Sequence, residues 1–147
     1  MHRPFPSAAD DVKISHEITV YVAVADHPPT GLPARLRYHR KDPYAVCLSL
    51  GGTATGTVDW VFARALLSEG LGNPVGVGDV LVRPQRRGHR HWVRVIVRST
   101  AGYALLDIAT TAVRAFLDQT ELLVPTGAEG RHIDLDRLIA ELVTGNA

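Results

Sequence analysis

The chain is short of the residues on which several kinds of protein depend. It has a single cysteine, Cys47, among 147 residues. One thiol cannot close an internal disulfide, so a disulfide-stapled module is excluded and a reducing compartment is the natural setting. Aromatics make up only 6% of the chain, thin for a protein that holds nucleic acid chiefly by stacking. No uninterrupted apolar run reaches the length of a membrane span, so direct membrane insertion is not expected. The opening MHRPFPSAADD has no apolar core of the kind a secretory signal needs, and the expected location is cytoplasmic. Neither sign of charge dominates: the formal net charge is +1.

What is present fits one soluble domain. Hydrophobic residues are 46% and charged residues 21%. A compact chain of this length buries roughly 68–70% of its unfolded surface, enough for a core without metals or disulfides.

Residues 1–13 show no periodicity and read as a flexible leader. Residues 14–25 alternate, with Ile14, His16, Ile18, Val20, Val22 and Val24 on one side, the mark of a half-buried strand. DHPPTGLP (26–33) reads as a break. Further strands are expected over 34–40, 44–50, 57–63, 79–84, 91–99 and 103–109. Asp42-Pro43-Tyr44 reads as a turn capped by the aspartate, Gly76 with Gly78 and Asp79 as another, and QRRGHR (85–90) as a charged hairpin loop after Pro84. In VDWVFARALLSEGL (58–71) the period changes after Phe62 from two to helical. Gly70 there suits a left-handed C′ position, and Glu69, at the helix end, calls for a cation. A longer helix is expected over 111–123, stopped by Pro125 and Gly127. A linker over 128–132 then leads to a tail helix capped by Asp134, with Leu135, Leu138, Ile139 and Leu142 at i, i+3, i+4 and i+7. Short connections between strands favour antiparallel pairing. The expected class is α+β: a mainly antiparallel sheet of about seven strands, two helices and a tail helix.

Candidate sites for chemistry are few. Cys47, between Val46 and Leu48, reads as a small buried hydrophobe rather than a nucleophile. His89 and His91 form an HxH pair, but no further ligands stand at zinc spacing and arginines surround them. Gly76-x-Gly78-Asp79 precedes a strand and lacks the lysine of a phosphate loop. There is no GxSxG elbow and no HExxH helix, so neither an enzyme nor a cofactor is expected. The one charge feature that stands out is basic. Arg83, Arg86, Arg87, Arg90, Arg94 and Arg98 fall in one hairpin, and no acid occurs between Val80 and Leu106. Arg86, Arg87, Arg90 and Arg94 with Trp92 form a candidate partner surface. A basic sheet with an aromatic also suits single-stranded nucleic acid, which is the alternative function.

Three blocks carry a family resemblance. They are Tyr38-x-x-x-Asp42-Pro43-Tyr44-Ala45-Val46, then Val58-x-Trp60-x-Phe62-Ala63-Arg64-x-Leu66-Leu67-x-x-Gly70-Leu71, then Gly76-x-Gly78-Asp79-Val80-x-Val82-x-Pro84. In that order, and with the later Leu105-Leu106-Asp107 and Phe116-Leu117-x-x-Thr120, they resemble the SsgA-like sporulation and cell-division regulators of actinomycetes over residues 14–128. The resemblance implies a strongly bent sheet, Whirly-like in shape, assembled as a homotrimer. It also implies a non-enzymatic scaffold acting at the division septum with the tubulin-like division protein FtsZ or another family member. Under it, Asp42, Pro43, Tyr44, Trp60, Phe62, Arg64, Gly70, Gly78 and Asp79 serve the fold or a subunit contact. Ala65 departs from the pattern, where many members carry an acid, and the tail (129–147) lies beyond the family core.

Overall fold

The computed structural model describes residues 13–24, 27–53 and 56–144. Side chains at 52–53, 56–57, 132–137 and 144 are outside that description. The expected leader also lies outside it, apart from Lys13, which begins β1.

Four strands come first: β1 (Lys13–Val24), β2 (Thr30–His39), β3 (Ala45–Thr53) and β4 (Gly56–Ala63). Helix α1 (Arg64–Glu69) follows, then β5 (Val75–Val77), β6 (Val80–Arg87), β7 (Arg90–Ser99) and β8 (Gly102–Ala109). Helices α2 (Thr110–Leu123) and α3 (Glu129–Thr144) end the chain. All strands join one sheet in the order β4-β3-β2-β1-β8-β7-β6-β5, with every pairing antiparallel.

That order requires the sheet to bend. β4 and β5 are its two edges, yet they are consecutive strands joined by only residues 64–74. Across a flat sheet of eight strands the edges stand roughly 34 Å apart. Helix α1 spans about 9 Å, and the five residues after it at most about 17 Å. The connection closes only if the sheet curls and brings its edges together around the core.

The inner face holds that core. Val20, Leu36, Tyr38, Val46, Leu48, Val82, Val93, Val95, Leu106 and Ile108 are fully or almost fully buried. Helix α2 packs across β1, β7 and β8, with Val113, Phe116 and Leu117 turned inward. His16 of β1 meets Phe116 edge-on, ring centres 5.5 Å apart.

Several expectations are corrected. The sheet has eight strands, because Val75–Val77 pairs with β6 as a three-residue edge; Gly76 is therefore in a strand, and only Gly78 and Asp79 form the turn. Gly78 there has φ of 60°, the left-handed value that favours glycine. Pro33 and Pro84 end no strand. Pro33 lies inside β2 one residue before the β3 ladder begins at Ala34, and Pro84 lies inside β6 two residues past the last β5 partner, Val82. Each occupies a stretch with one neighbour only, where a missing N–H is tolerated. β6 and β7 run on to Arg87 and Arg90, so the expected six-residue loop shrinks to Gly88 and His89. The tail helix starts at Glu129, so all of the expected linker but Ala128 is helical and Asp134 lies inside the helix rather than at its cap.

Candidate functional site

Three motif residues of the sequence, Tyr38, Tyr44 and Thr120, meet at Arg64. Its side chain is 3% exposed, which a cation tolerates only when it is fully hydrogen-bonded. One guanidinium nitrogen donates to the Thr120 carbonyl at 3.1 Å, the Val124 carbonyl at 2.8 Å and the Thr120 hydroxyl at 3.3 Å. The other donates to Glu129 Oε2 at 2.7 Å, and Glu121 Oε2 stands 3.6 Å from the first. The last carbonyls of a helix have no partner within it. Arg64 supplies one for the Val124 carbonyl at the end of α2 and adds a second donor to the Thr120 carbonyl, which also accepts from the Val124 N–H at 2.8 Å; the same side chain holds the first turn of α3 through Glu129.

The Asp42-Pro43-Tyr44 turn backs this anchor. The Arg64 N–H donates to the Tyr44 carbonyl at 2.7 Å, and the Tyr38 hydroxyl donates to the Pro43 carbonyl at 2.9 Å. The guanidinium lies 5.1 Å from the centre of the Tyr38 ring, within cation–π range. Burial pushes the Tyr38 phenol up to about 12. Asp42 contributes through its backbone: its carbonyl accepts from the Ala45 N–H at 3.2 Å, and its carboxylate, expected to cap the turn, makes no hydrogen bond among the described residues. Trp60 is half-buried against the core and Phe62 is buried in it. Asp79 acts through its carbonyl, which accepts from the Arg98 N–H at 2.9 Å. Glu69 is exposed and has no cation partner among the described residues.

Gly70 answers to a different constraint from the expected one. Its φ is −67°, ordinary right-handed helix, so conformational freedom is not why glycine stands there. A Cβ at this position would sit 2.2 Å from Val82 Cγ1, a steric overlap. Glycine lets the end of α1 touch β6 directly.

Glu129 carries a testable charge. Burial raises its carboxyl pKa, but the Arg64 hydrogen bond, backbone N–H groups including that of Gly127 and the guanidinium charge outweigh this and hold it below the ordinary 4.5. A lowered folded value means the ion pair stabilises fully above about 4.5 and loses that contribution as pH falls through the folded pKa. The urea midpoint of the wild-type chain should therefore drop on acidification below this point. Glu129→Gln should show less of that drop, as read by circular dichroism.

The second cluster is the basic one, on the outer face of the sheet. Arg87, Arg90, Trp92 and Arg94 share that face by strand alternation; Arg86 does not, since it pairs with His91 on the face of Val93 and Val95. Asp107, part of the family pattern in the sequence but given no role there, binds the group. It accepts from Arg94 at 2.8 and 2.9 Å and from Arg87 at 3.2 Å. Counting back from the two-residue turn that pairs Ser99 with Gly102 sets Arg94 opposite Asp107, so the signal was available. Thr120 and Glu129 had no such local signal. Trp92 lies edge-on to Tyr21, ring centres 5.5 Å apart.

Chemistry elsewhere is sparse. Cys47 is half-buried on the outer face of β3, not in the core, because Val46, Leu48 and Leu50 take the inner positions; Arg37 donates to its sulfur at 3.4 Å. His89 is in the turn and His91 on β7, so the HxH pair shares no strand face. Among the described residues no group of three metal-ligating side chains exists, and no helix is long and apolar enough to cross a membrane.

Comparison with known proteins places this geometry. The family described as Streptomyces sporulation and cell division protein, SsgA, matches residues 32–129. The sporulation-specific cell division protein SsgB of Streptomyces coelicolor is 41% identical over 130 residues, covering 88% of this chain and 95% of that protein. SsgB of Kineococcus radiotolerans is also 41% identical, covering 90% of this chain and 81% of its own. Among solved structures, an SsgA-like sporulation-specific cell division protein from Thermobifida fusca superposes with a TM-score of 0.84 at 34% identity, covering 89% of this chain and 96% of its own. A structure reported with SsgB mutations that correlate with longitudinal cell division in S. coelicolor superposes at 0.77, covering 84% and 97%.

Proposed function

The chain belongs to the SsgA family of sporulation and cell-division proteins, and from that premise we propose that it is a non-enzymatic regulator of sporulation-specific cell division working through protein contacts at the septum. The observation that carries this reading is the 41% identity to S. coelicolor SsgB across nearly the whole of both chains. The anchor supports it. Arg64 is surrounded by acceptors and walled off from solvent, so the most distinctive side chain of the motif holds the fold and has no free position for a substrate.

A scaffold acts through its surface, and this one has surface to offer. Edge strand β4 exposes Val58 and Val61, and an exposed apolar edge is a place for another chain to pair. Helix α3 is tied down at Glu129, while Leu138, Ile139, Leu142 and Val143 are half exposed or more. A homotrimer, with FtsZ or a second family member as partner, is the assembly this reading favours. The test is where a fluorescent fusion sits in a sporulating hypha: accumulation at septa is expected, and an even distribution is the contrary result.

A further inference from the structure

The outer face of β6 and β7 carries charge that the domain does not use. Arg83 of β6 sits directly opposite Arg94 of β7, and like charges in that position repel. Arg94 is neutralised by Asp107, but that carboxylate is already occupied by Arg94 twice and Arg87 once. Arg83 makes no ion pair among the described residues, and its Nε is buried without an acceptor. On the next rung of the same face, two residues on, Gln85 faces Trp92, whose Nε1 is likewise buried without an acceptor. Folded proteins leave few buried donors unsatisfied, so two on successive rungs of one face mark a region whose polar groups the domain itself does not satisfy. Arg90 and Arg98, on the same face of β7, are exposed and make no ion pair among the described residues. Beside Arg90, and reaching Tyr21 of β1, lies a cavity of about 130 Å³, lined by Tyr21, Pro29, Arg87, Arg90, Trp92 and Asp107. It has room for one side chain.

We propose that this face docks an acidic protein segment that carries one apolar anchor residue. Carboxylates of the segment meet Arg83, Arg90 and Arg98, and the anchor enters the cavity beside Trp92. Charge complementarity selects the occupant. The other wing of the outer face shows the contrast: there Glu17 pairs with Arg35 at 2.9 Å and Asp59 with Arg37 at 3.5 Å, so its trough is already neutralised. One feature favours a polypeptide over nucleic acid: Trp92 is packed edge-on against Tyr21 instead of standing free as a stacking platform.

The inference rests on the protein-contact reading of the function, and its test separates the two. The full-length chain is titrated against a fluorescein-labelled peptide with three glutamates on each side of a central phenylalanine, followed by anisotropy. A thymidine oligonucleotide of equal charge is run in parallel. Binding of the peptide is expected, weakened about tenfold or more in Arg90→Gln/Arg98→Gln, whose side chains are exposed. Arg114→Gln on exposed α2 surface should stay within about twofold of wild type. No peptide binding, an unchanged affinity in the double variant, or tighter binding of the oligonucleotide overturns the proposal. So does sedimentation in which the double variant dissociates an oligomer while wild type ignores the peptide, since the face then lies between copies. Septal localisation without peptide binding overturns this site and leaves the regulatory reading intact.

Discussion

Arg64→Ala should cost about 3–5 kcal/mol in urea unfolding, among the largest effects of any single change in the chain. The substitution does more than delete a favourable contact. It removes the charge partner of Glu129, whose side chain is 13% exposed, and the donor to the Val124 carbonyl at the end of α2, while the Thr120 carbonyl keeps its bond from the Val124 N–H at 2.8 Å. Unpaired groups of this kind keep their desolvation cost and lose its compensation. Arg64→Lys should recover little, because one ammonium cannot reach two carbonyls and a carboxylate with the geometry of a planar fork. Glu129→Gln in the Arg64→Ala background should restore part of the loss, since a neutral amide leaves no orphan charge. A stability within about 0.5 kcal/mol of wild type for Arg64→Ala would show that the anchor is incidental.

Gly70→Ala should destabilise by about 1–3 kcal/mol through overpacking. The added methyl would overlap Val82, which is completely buried and cannot swing into solvent. Since φ at Gly70 is −67°, alanine's backbone preferences are met and the penalty is steric alone. The account therefore predicts rescue. Val82→Ala opens the space the methyl needs, so the double variant should cost less than the two single variants added together, with a coupling of about 0.5–3 kcal/mol. Simple additivity would point to a backbone cause instead. The pair also bears on assembly, because it sets how closely α1 lies on β6 and hence how tightly the sheet curls.

These two residues illustrate what could and could not be read from the chain. The alternation in β1 and β7 is legible because each strand is long and has one buried face, which in β7 takes Val93 and Val95. The three residues of β5 are too few to show any period. Pro33 and Pro84 look like strand ends because a sequence does not reveal where a neighbouring strand stops. Gly70 carries a motif signal, but a contact twelve positions away with Val82 explains it, and local turn rules do not reach that far. Arg64 stands 56 residues from Thr120 and 65 from Glu129, so its role as an anchor appears only once the sheet has curled. Asp107 is the intermediate case, recoverable by register once the turn after Ser99 is recognised. The three family blocks are more legible as a set than any residue in them, because each answers to a different part of one long-range arrangement.

Localisation in a sporulating actinomycete tests the central claim most directly. A fluorescent fusion of the full chain, imaged beside a labelled division ring, should form ladders that coincide with nascent sporulation septa. Diffuse fluorescence, or signal that follows the nucleoid, would contradict a role at the septum.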